Sequence, residues 1–297
     1  MTPQLSLVIA SINGAEALTS CLASFADQPL SDQIEIVVAE SSSGDEAGAI
    51  CRRHVNVKHL HFAERKSIPE LRALGLLSAT APILAMTEDH CLGAPDWIAS
   101  ALAAHDGQWQ VVGGAVENSA TERVVDWAVY FCEYGRFMLP VDPGPTNDLP
   151  GPNVTYSRAA FEIFRDLLEP ANWEPFWHWR LMERGVTLFN DPRLVVYHHK
   201  HFTFDGFLRE RYHYARSFAG RRVEGAPPAR RAFFIFGAPL LPPLLLARIM
   251  RRVLRKRRHQ REFLAALPYI MCFTLSWSLG ELVGYLFGPG NSQAQIE

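Results

Sequence analysis

The sequence predicts an α/β fold in which helices flank a mostly parallel β-sheet, followed by a hydrophobic helical appendage. Over roughly the first 90 residues, short apolar runs alternate with stretches that repeat apolar residues at helical spacing. This alternation, with strands that are apolar on both faces, is typical of a parallel sheet covered by helices. Near the C-terminus, two long apolar stretches flank a strongly basic one. The 297 residues, 48% of them hydrophobic, suffice for a large core.

The alternation can be followed element by element. LSLVIA is predicted to be the first strand; it ends in SING and precedes the helix AEALTSCLASFADQ. IEIVVAE is the second strand, and after SSSGD come the helix AGAICRRHV and the short strand VKHLHF. The helix IPELRALGLLSAT then leads into the apolar strand PILAMTED. Because parallel strands end at the same edge of a sheet, SING, AESSSG and TEDHC are expected to meet there.

The middle of the chain is less regular. Residues 139–153 contain five prolines, which favours a loop beside the expected site. RAAFEIF and EPFWHWRLMERG follow as predicted helices, the second with Gly185 as its C-cap. TLFNDPRLVVYHH is predicted to form a pair of strands that ends in ionisable groups.

Charge and cysteine content narrow the class of protein. Residues 209–261 carry fifteen Lys or Arg residues against Glu210 and Glu224, whereas the whole chain has a formal net charge of −2. The five cysteines have no CxxC spacing, so the sequence indicates neither a disulfide framework nor a zinc knuckle and favours a reducing compartment. The N-terminus lacks the basic and apolar regions of a signal peptide, so we expect the catalytic part in the cytoplasm.

Five stretches, by their order and spacing, resemble the family-2 inverting glycosyltransferases, which have a nucleotide-diphospho-sugar transferase (GT-A-like) fold. They are LVIASING, IEIVVAESSSGDE, ELRALGLLSATAPILAMTEDHC, GPNVTYSRAAFE and WEPFWHWRLMERG, and the resemblance covers roughly residues 5–222. It implies inverting transfer of a sugar from a UDP- or GDP-sugar to a carbohydrate or lipid-linked acceptor. The acceptor class that we expect is a lipid-linked or cell-surface polysaccharide.

The resemblance also implies roles for individual residues on the donor side. Glu40 takes the place of the acid that contacts the uracil or ribose, and Asn13 lies in the turn that lines the same pocket. Arg72 is the expected diphosphate contact.

The EDH triplet falls on the DxD motif of the family. Glu88 and Asp89 are therefore assigned to the donor site, while His90 occupies the position of the metal-binding carboxylate and His198 matches a histidine near the metal. A divalent ion there would stabilise the charge of the departing nucleoside diphosphate. Because Mn²⁺ accepts imidazole more readily than Mg²⁺, His90 favours Mn²⁺. The loss of one carboxylate leaves open whether a metal is required.

On the acceptor side, Glu174 in NWEP aligns with the acid that the family uses as its base. Inversion needs such a base to take the acceptor hydroxyl proton. Each assignment has a structural alternative: TEDHC alone is typical of a solvated turn or helix cap, Glu174 of an acid at a helix N-terminus, and His198 of a hydrogen-bonded histidine at a strand end. For TEDHC, its position at the end of an apolar strand, among the other matches to the family, favours the functional interpretation.

Residues 226–297 are predicted to be a basic and apolar helical region that associates with a membrane, with residues 1–225 as the catalytic domain. The apolar stretches 232–250 and 263–287 approach the length of a membrane span. A spanning hairpin would place seven basic residues of RRVLRKRRHQRE outside, against the positive-inside rule. Three prolines break the first stretch, which favours short interfacial helices on the anionic cytoplasmic leaflet. Whether the second stretch spans stays open, as does a buried helical pair in a soluble homo-oligomer.

The leading prediction is thus a glycosyltransferase on the cytoplasmic face of the cell membrane. A sugar-phosphate nucleotidyltransferase of the same fold is disfavoured, because SING lacks the Gly-rich and basic triphosphate loop. A non-enzymatic protein that binds nucleic acid or anionic lipid is the alternative from another class. The arginines lie between apolar segments and not among aromatic residues placed for stacking on bases. This favours a membrane over nucleic acid as the partner.

Overall fold

A computed structural model describes residues 2–169 and 172–296. The chain forms two compact units. The first comprises the residues up to Ser119 together with Phe137–His199, and the second comprises Ala120–Arg136 and the residues from Lys200 onwards. The predicted boundary at residue 225 separates a catalytic domain from a membrane-associating region, and it stays a prediction.

In the described residues, nine strands form one sheet in the first unit. The strands are β1 (Leu5–Ser11), β2 (Ile34–Glu40), β3 (Val57–His61), β4 (Ile83–Glu88), β5 (Cys91–Gly93), β6 (Val111–Asn118), β7 (Gly144–Thr146), β8 (Val154–Ser157) and β9 (Leu188–His198). The helices of this unit are α1 (Ala15–Ala26), α2 (Glu46–Cys51), α3 (Ile68–Ser78), α4 (Trp97–Ala104), α6 (Arg158–Phe164) and α7 (Glu174–Glu183), and α5 (Val124–Glu133) belongs to the second unit.

The predicted alternation of strand and helix is confirmed in the first part of the sheet. The strands lie in the order β3-β2-β1-β4 and are all parallel. β1 is buried along its whole length, as expected for a strand covered on both faces. Its register pairs Ser11 with Glu40 and Ala10 with Glu88, so β1, β2 and β4 end at one edge.

The rest of the sheet is mixed, in the order β4-β8-β6-β9-β5. β8 is antiparallel to both β4 and β6, whereas β9 is parallel to β6. The predicted strand pair in TLFNDPRLVVYHH is instead the single strand β9, whose pairing with β6 is irregular between Gly113 and Ala115. The antiparallel pairing of β5 with β9 sets Cys91 opposite His198. This brings the end of β9 to the TEDHC segment.

Two helix ends of the first unit lie at or near their predicted positions, since α3 starts at Ile68 as expected and the C-cap of α7 is Arg184, one residue before the predicted Gly185. Ser67 caps α3 in a capping box with Glu70. α7 ends before Gly185, which has φ of +80°, a conformation that favours glycine. α7 starts at Glu174 with Pro175 in its first turn, where the missing N–H of proline has no intrahelical acceptor to lose.

Helices alone build the described part of the second unit. It contains α5, α8 (Phe204–Arg222), α9 (Pro228–Gly237), α10 (Leu241–Lys256) and α11 (Gln260–Phe287). The predicted break at the prolines is present, since residues 238–240 separate α9 from α10 as a short 3₁₀ turn. Two stretches are long and apolar enough to cross a membrane by length and composition, namely Pro228–Lys256 and Gln260–Phe287, whose most apolar 18-residue windows have mean hydropathies of 1.8 and 1.5.

The contact of α3 with β1 gives a test of packing. A Cβ atom built on Gly75 would overlap Cγ1 of Val8, a residue buried in β1. We therefore expect Gly75→Ala to lower the free energy of unfolding by about 1–3 kcal/mol through overpacking. The matched control is Gly107→Ala, since no atom lies within 4 Å of a Cβ built on Gly107. Thermal and urea denaturation measure the difference, and equal stability of the two variants would contradict the packing.

Candidate active site

Most of the residues predicted to form the site meet at the carboxyl edge of the sheet. Glu88 ends β4, and the TEDHC segment continues from it towards β5. Asn13 lies in the turn after β1, and His198 is the last residue of β9. Glu174 is the first residue of α7. Contacts link all of these residues through Asp89, His90 and Arg72.

Asp89 holds the turn that follows β1. Its carboxylate is fully buried and accepts hydrogen bonds from the Ser11 hydroxyl at 2.9 Å and from the backbone N–H groups of Ile12 at 2.8 Å and Asn13 at 2.7 Å. The Asn13 amide adds a fourth bond at 2.6 Å, to Oδ1. Burial alone would raise the pKa of Asp89, but the hydrogen bond and charge of His90 and the bonds from Asn13 hold it below its ordinary value. The Asp89 carboxylate therefore stabilises the turn that follows β1.

His90 lies between the turn and the other possible ligand atoms. Its Nδ1 is 3.1 Å from Oδ1 of Asp89, while its Nε2 is 3.0 Å from Oε2 of Glu88 and 3.1 Å from Nε2 of His198. Burial lowers the pKa of His90, but the bonds to Asp89 and Glu88 outweigh it and raise that pKa above its ordinary value. Oε2 of Glu88 and Nε2 of His198 thus both lie next to Nε2 of His90.

This donor set fits a divalent transition metal. Ligand atoms of Glu88, His90 and Cys91 all lie within 4.8 Å of one another, and the imidazoles of His90 and His198 face each other through their Nε2 atoms. A mixture of carboxylate and imidazole suits Mn²⁺ or Zn²⁺ better than Mg²⁺. The Cys91 thiol is fully buried, and its pKa is raised well above the usual value, first by burial and then by Glu88.

Arg72 joins this cluster to the predicted base. Its Nη2 donates to Oε1 of Glu88 and its Nη1 donates to Oε1 of Glu174. Arg72 is 3% exposed and Glu174 is 5% exposed, so both bonds are shielded from water. Burial raises the pKa of Glu88, but His90, Arg72 and His198 outweigh that effect and hold it far below its ordinary value. One guanidinium thus fixes two carboxylates that lie 86 residues apart in the sequence.

Residues 139–153 are predicted to be a loop beside the site, but Gly144–Thr146 within them form strand β7, and the segment approaches the ion pair at Gly151. A Cβ atom built on Gly151 would lie 3.1 Å from Oε2 of Glu174 and 3.3 Å from Nη1 of Arg72. Only a residue without a side chain leaves that space to the two charged groups. Trp173, the residue before Glu174, is buried at the N-cap of α7.

Glu40 ends the neighbouring strand and makes a separate set of contacts. Its Oε2 accepts 2.6 Å bonds from the N–H and the hydroxyl of Ser42, and its Oε1 lies 2.9 Å from His59 Nε2 and 2.7 Å from His61 Nδ1. Burial raises the pKa of Glu40, but the bonds from Ser42 and the two histidines outweigh it and lower that pKa. The register of β1 and β2 sets Glu40 beside Ser11, which bonds to Asp89.

Sequence reasoning missed four parts of this site. They are the two histidines that contact Glu40, the ion pairs of Arg72 with Glu88 and Glu174, the Cys91 thiol as a possible ligand, and the close approach of Gly151 to the Glu174 carboxylate. A signal existed for the histidines, because in VKHLH the two alternate residues share one face of a strand next to β2. A signal also existed for Cys91, which stands beside Glu88 and His90 in TEDHC. The other two depend on contacts between distant segments, which no local pattern indicates.

Comparison with known proteins gives the family. The model of the family described as glycosyl transferase family 2 matches residues 6–164, more than half of the chain. No curated protein matches the sequence.

The fold is similar to two solved glycosyltransferase structures. The mannosyltransferase PcManGT from Pyrobaculum calidifontis, in complex with GDP-Man and Mn²⁺, has a TM-score of 0.58 at 18% identity, over 97% of this chain and 88% of that one. Residues 1–349 of TarS from S. aureus have a TM-score of 0.53 at 14% identity, over 96% of this chain and 90% of that one. At these identities the likeness establishes the GT-A-like fold, which confirms the predicted fold class.

The role of Asp89 in the turn is testable without any ligand. Asp89→Asn removes one of the two acceptor oxygens and leaves buried donors of the turn unpaired, so the free energy of unfolding should fall by about 1–3 kcal/mol. Denaturation in EDTA measures this in the metal-free protein. Asp45→Asn, at an exposed carboxylate paired with Arg52, is the control and should stay near wild type. If Asp89 were only a metal ligand, its variant would be as stable as the control in EDTA.

Proposed function

The chain belongs to glycosyl transferase family 2, and from this premise we propose that it is an inverting glycosyltransferase that uses a nucleotide-diphospho-sugar. The observation that carries the proposal is the Arg72 bridge between Glu88 in the metal cluster and Glu174 on α7. A transferase needs charge stabilisation for the leaving diphosphate and a base for the acceptor, next to each other. The family favours this reaction over the nucleotidyltransferase and the lipid-binding alternatives.

The donor side is assigned to the edge formed by β1, β2 and β4. Glu40 and Asn13 contact the nucleoside, with Glu40 oriented by His59 and His61. Asp89 acts through the turn that it holds, and Arg72 and Glu88 face the diphosphate. A UDP- or GDP-sugar is the proposed donor. The solved neighbour PcManGT contains GDP-Man, which supports a donor of this class.

A divalent metal is proposed at Glu88, His90 and His198, with Cys91 close to the same point. When bound, such an ion offsets the negative charge of the departing nucleoside diphosphate. The imidazole ligands favour Mn²⁺ over Mg²⁺. The Mn²⁺ in the structure of PcManGT supports the same choice.

Glu174 is proposed as the base. Its carboxylate accepts the proton of the acceptor hydroxyl as that oxygen forms a bond to the anomeric carbon, and the bond from that carbon to the phosphate oxygen breaks on the opposite face with inversion. Arg72 fixes the orientation of the carboxylate, and Trp173 and the loop at Gly151 limit the access of water to it.

The acceptor is proposed to be a lipid-linked or cell-surface polysaccharide precursor at the cytoplasmic face of the membrane. The two apolar stretches of the second unit support membrane association. The basic residues between them support the cytoplasmic leaflet, which carries anionic lipid.

The base assignment gives the main test. Glu174→Gln keeps the shape of the side chain but removes its basicity, so we expect kcat to fall by roughly 10² to 10⁴. Affinity for the nucleoside diphosphate should hardly change. The measurements are release of nucleoside diphosphate from UDP- and GDP-sugars with membrane lipid as acceptor, and calorimetry on the same preparation. Glu183→Gln, at an exposed residue of the same helix, is the matched control. Near-normal turnover of Glu174→Gln would remove Glu174 from the mechanism.

The metal assignment has its own test. His90→Ala removes the central ligand, so Mn²⁺ should bind at least tenfold more weakly by calorimetry, and Mn²⁺-supported turnover should fall with it. The control is His199→Ala, an exposed histidine next to His198 in the sequence. A variant at His90 that binds Mn²⁺ as the wild type does would mean that EDH is a structural turn.

A further inference from the structure

We propose that the second unit is a monotopic anchor, in which α11 lies in the plane of an anionic lipid leaflet instead of crossing the bilayer. The inference rests on the membrane association proposed above and adds its geometry and its lipid chemistry. Three features of the unit carry it: a one-sided apolar face on α11, the polar helix α8 packed on the C-terminal half of α11, and a basic stripe on α10.

Five of the six large exposed apolar residues of α11 form one continuous face, and the sixth, Phe287, ends the helix off this face. The five are Leu264, Met271, Leu275, Leu279 and Leu286, which are 64%, 52%, 58%, 54% and 44% exposed. Their spacing in steps of four and seven residues places them in one stripe along the helix. At 1.5 Å per residue the stripe is about 33 Å long. Lipid can therefore contact α11 along this one side.

The C-terminal half of α11 packs on α8, and the two helices run in the same direction. The Ser276 hydroxyl donates to the Leu208 carbonyl at 2.7 Å. One turn further, a Cβ on Gly280 would overlap the Tyr212 carbonyl, and one turn beyond that a Cβ on Gly284 would crowd the Arg216 carbonyl. The backbones therefore approach closely over three successive turns. α8 cannot separate from α11 without exposing this glycine face.

α8 is too polar to enter hydrocarbon with α11. Its sequence FDGFLRERYHYARSFAGRR contains five arginines and two acids. Placing even one such charge at the centre of a bilayer is strongly unfavourable. If α11 crossed the membrane in this arrangement, the part of α8 that packs along it would be carried to the same depth. The close packing of the two helices therefore argues against a spanning orientation.

The N-terminal half of α11 is covered by α5. The Phe131 ring packs edge-on against Phe263 at 5.6 Å between centroids, and Trp127 lies 4.6 Å from the ring of His259 just before the helix. α5 carries the buried Asp126, which is paired with Arg123 and His201. α8 and α5 thus cover the two halves of α11, and the apolar stripe is the face that remains for lipid.

α10 supplies the reason for anionic lipid. Its exposed residues form two adjacent stripes, one apolar and one basic: Met250 and Leu254 lie on the first, and Arg248, Arg251 and Arg255 on the second. Neighbouring stripes of this kind let the apolar side chains enter the acyl region while the guanidinium groups stay at the level of the phosphates. The charge complements an anionic headgroup layer. The buried Ile249 and Val253 occupy the opposite side of the helix.

Depth measurements on the full-length protein test the orientation. Spin labels are placed at Leu264→Cys, Leu275→Cys and Leu286→Cys, with Cys132→Ser and Cys272→Ser as background, on vesicles of phosphatidylcholine with phosphatidylglycerol. We expect the three labels at one shallow depth, within about 5 Å of each other. A deep label at 275 between shallow labels at 264 and 286 would show a spanning helix and overturn the inference. Circular dichroism and nucleoside diphosphate affinity confirm that each variant is folded.

Vesicle binding tests the lipid chemistry. The double variant Arg251→Gln and Arg255→Gln should bind the anionic vesicles about 25-fold more weakly, roughly 1 kcal/mol per arginine. Arg53→Gln with Arg184→Gln, two exposed arginines of the first unit, is the control and should bind like the wild type. Equal binding of the wild type to neutral and anionic vesicles would overturn the anionic preference. A wild type that binds neither, for instance a soluble dimer, would overturn the anchor but leave the transferase proposal to the Glu174 assay.

Discussion

The candidate site depends on the guanidinium of Arg72. It lies in the interior of the first unit and donates to one carboxylate at the end of β4 and to another at the start of α7. Removal of one partner from such a buried group is costly, because a charge is then left without compensation. The positions of α3, β4 and α7 are therefore coupled through a single side chain. Two carboxylates share one guanidinium, so the local charge is negative, which suits a site that takes up a cation.

Around this ion pair, consecutive residues of TEDHC contact different segments of the chain. Glu88 faces Arg72, Asp89 faces the turn after β1, and His90 faces His198 across the sheet edge. Cys91 begins the next strand and pairs with β9. Because each of these residues contacts a different segment, a short stretch of sequence sets the relative positions of the turn after β1, the end of β9 and the Arg72 ion pair. Asp89 thus stabilises a turn, whereas His90 contacts the groups at which a metal is proposed.

Much of the fold could be read from the sequence, because its signals are local. The apolar runs of β1, β2 and β4, the helical spacing of α1 and α3 and the prolines before α10 all appear within short windows. The contacts of the site are not local. Arg72 and Glu174 lie 102 residues apart, and Asp89 is tied to Asn13 across 76 residues. Likewise, the sequence of α5 does not indicate that this helix packs with α8 and α11 in the second unit, because tertiary contacts determine that packing.

The place of β9 in the sheet has a consequence for biosynthesis of the protein. β9 is the last strand in the sequence, yet it lies inside the sheet between β6 and β5 and carries His198 at its end. A nascent chain from which residue 198 has not yet emerged lacks both this strand and His198. The sheet is therefore complete only after about two thirds of the chain has left the ribosome, and every described residue of the helices α8 to α11 is still to follow. During translation, the sheet of the first unit can thus be completed before the segment with the apolar stripe emerges.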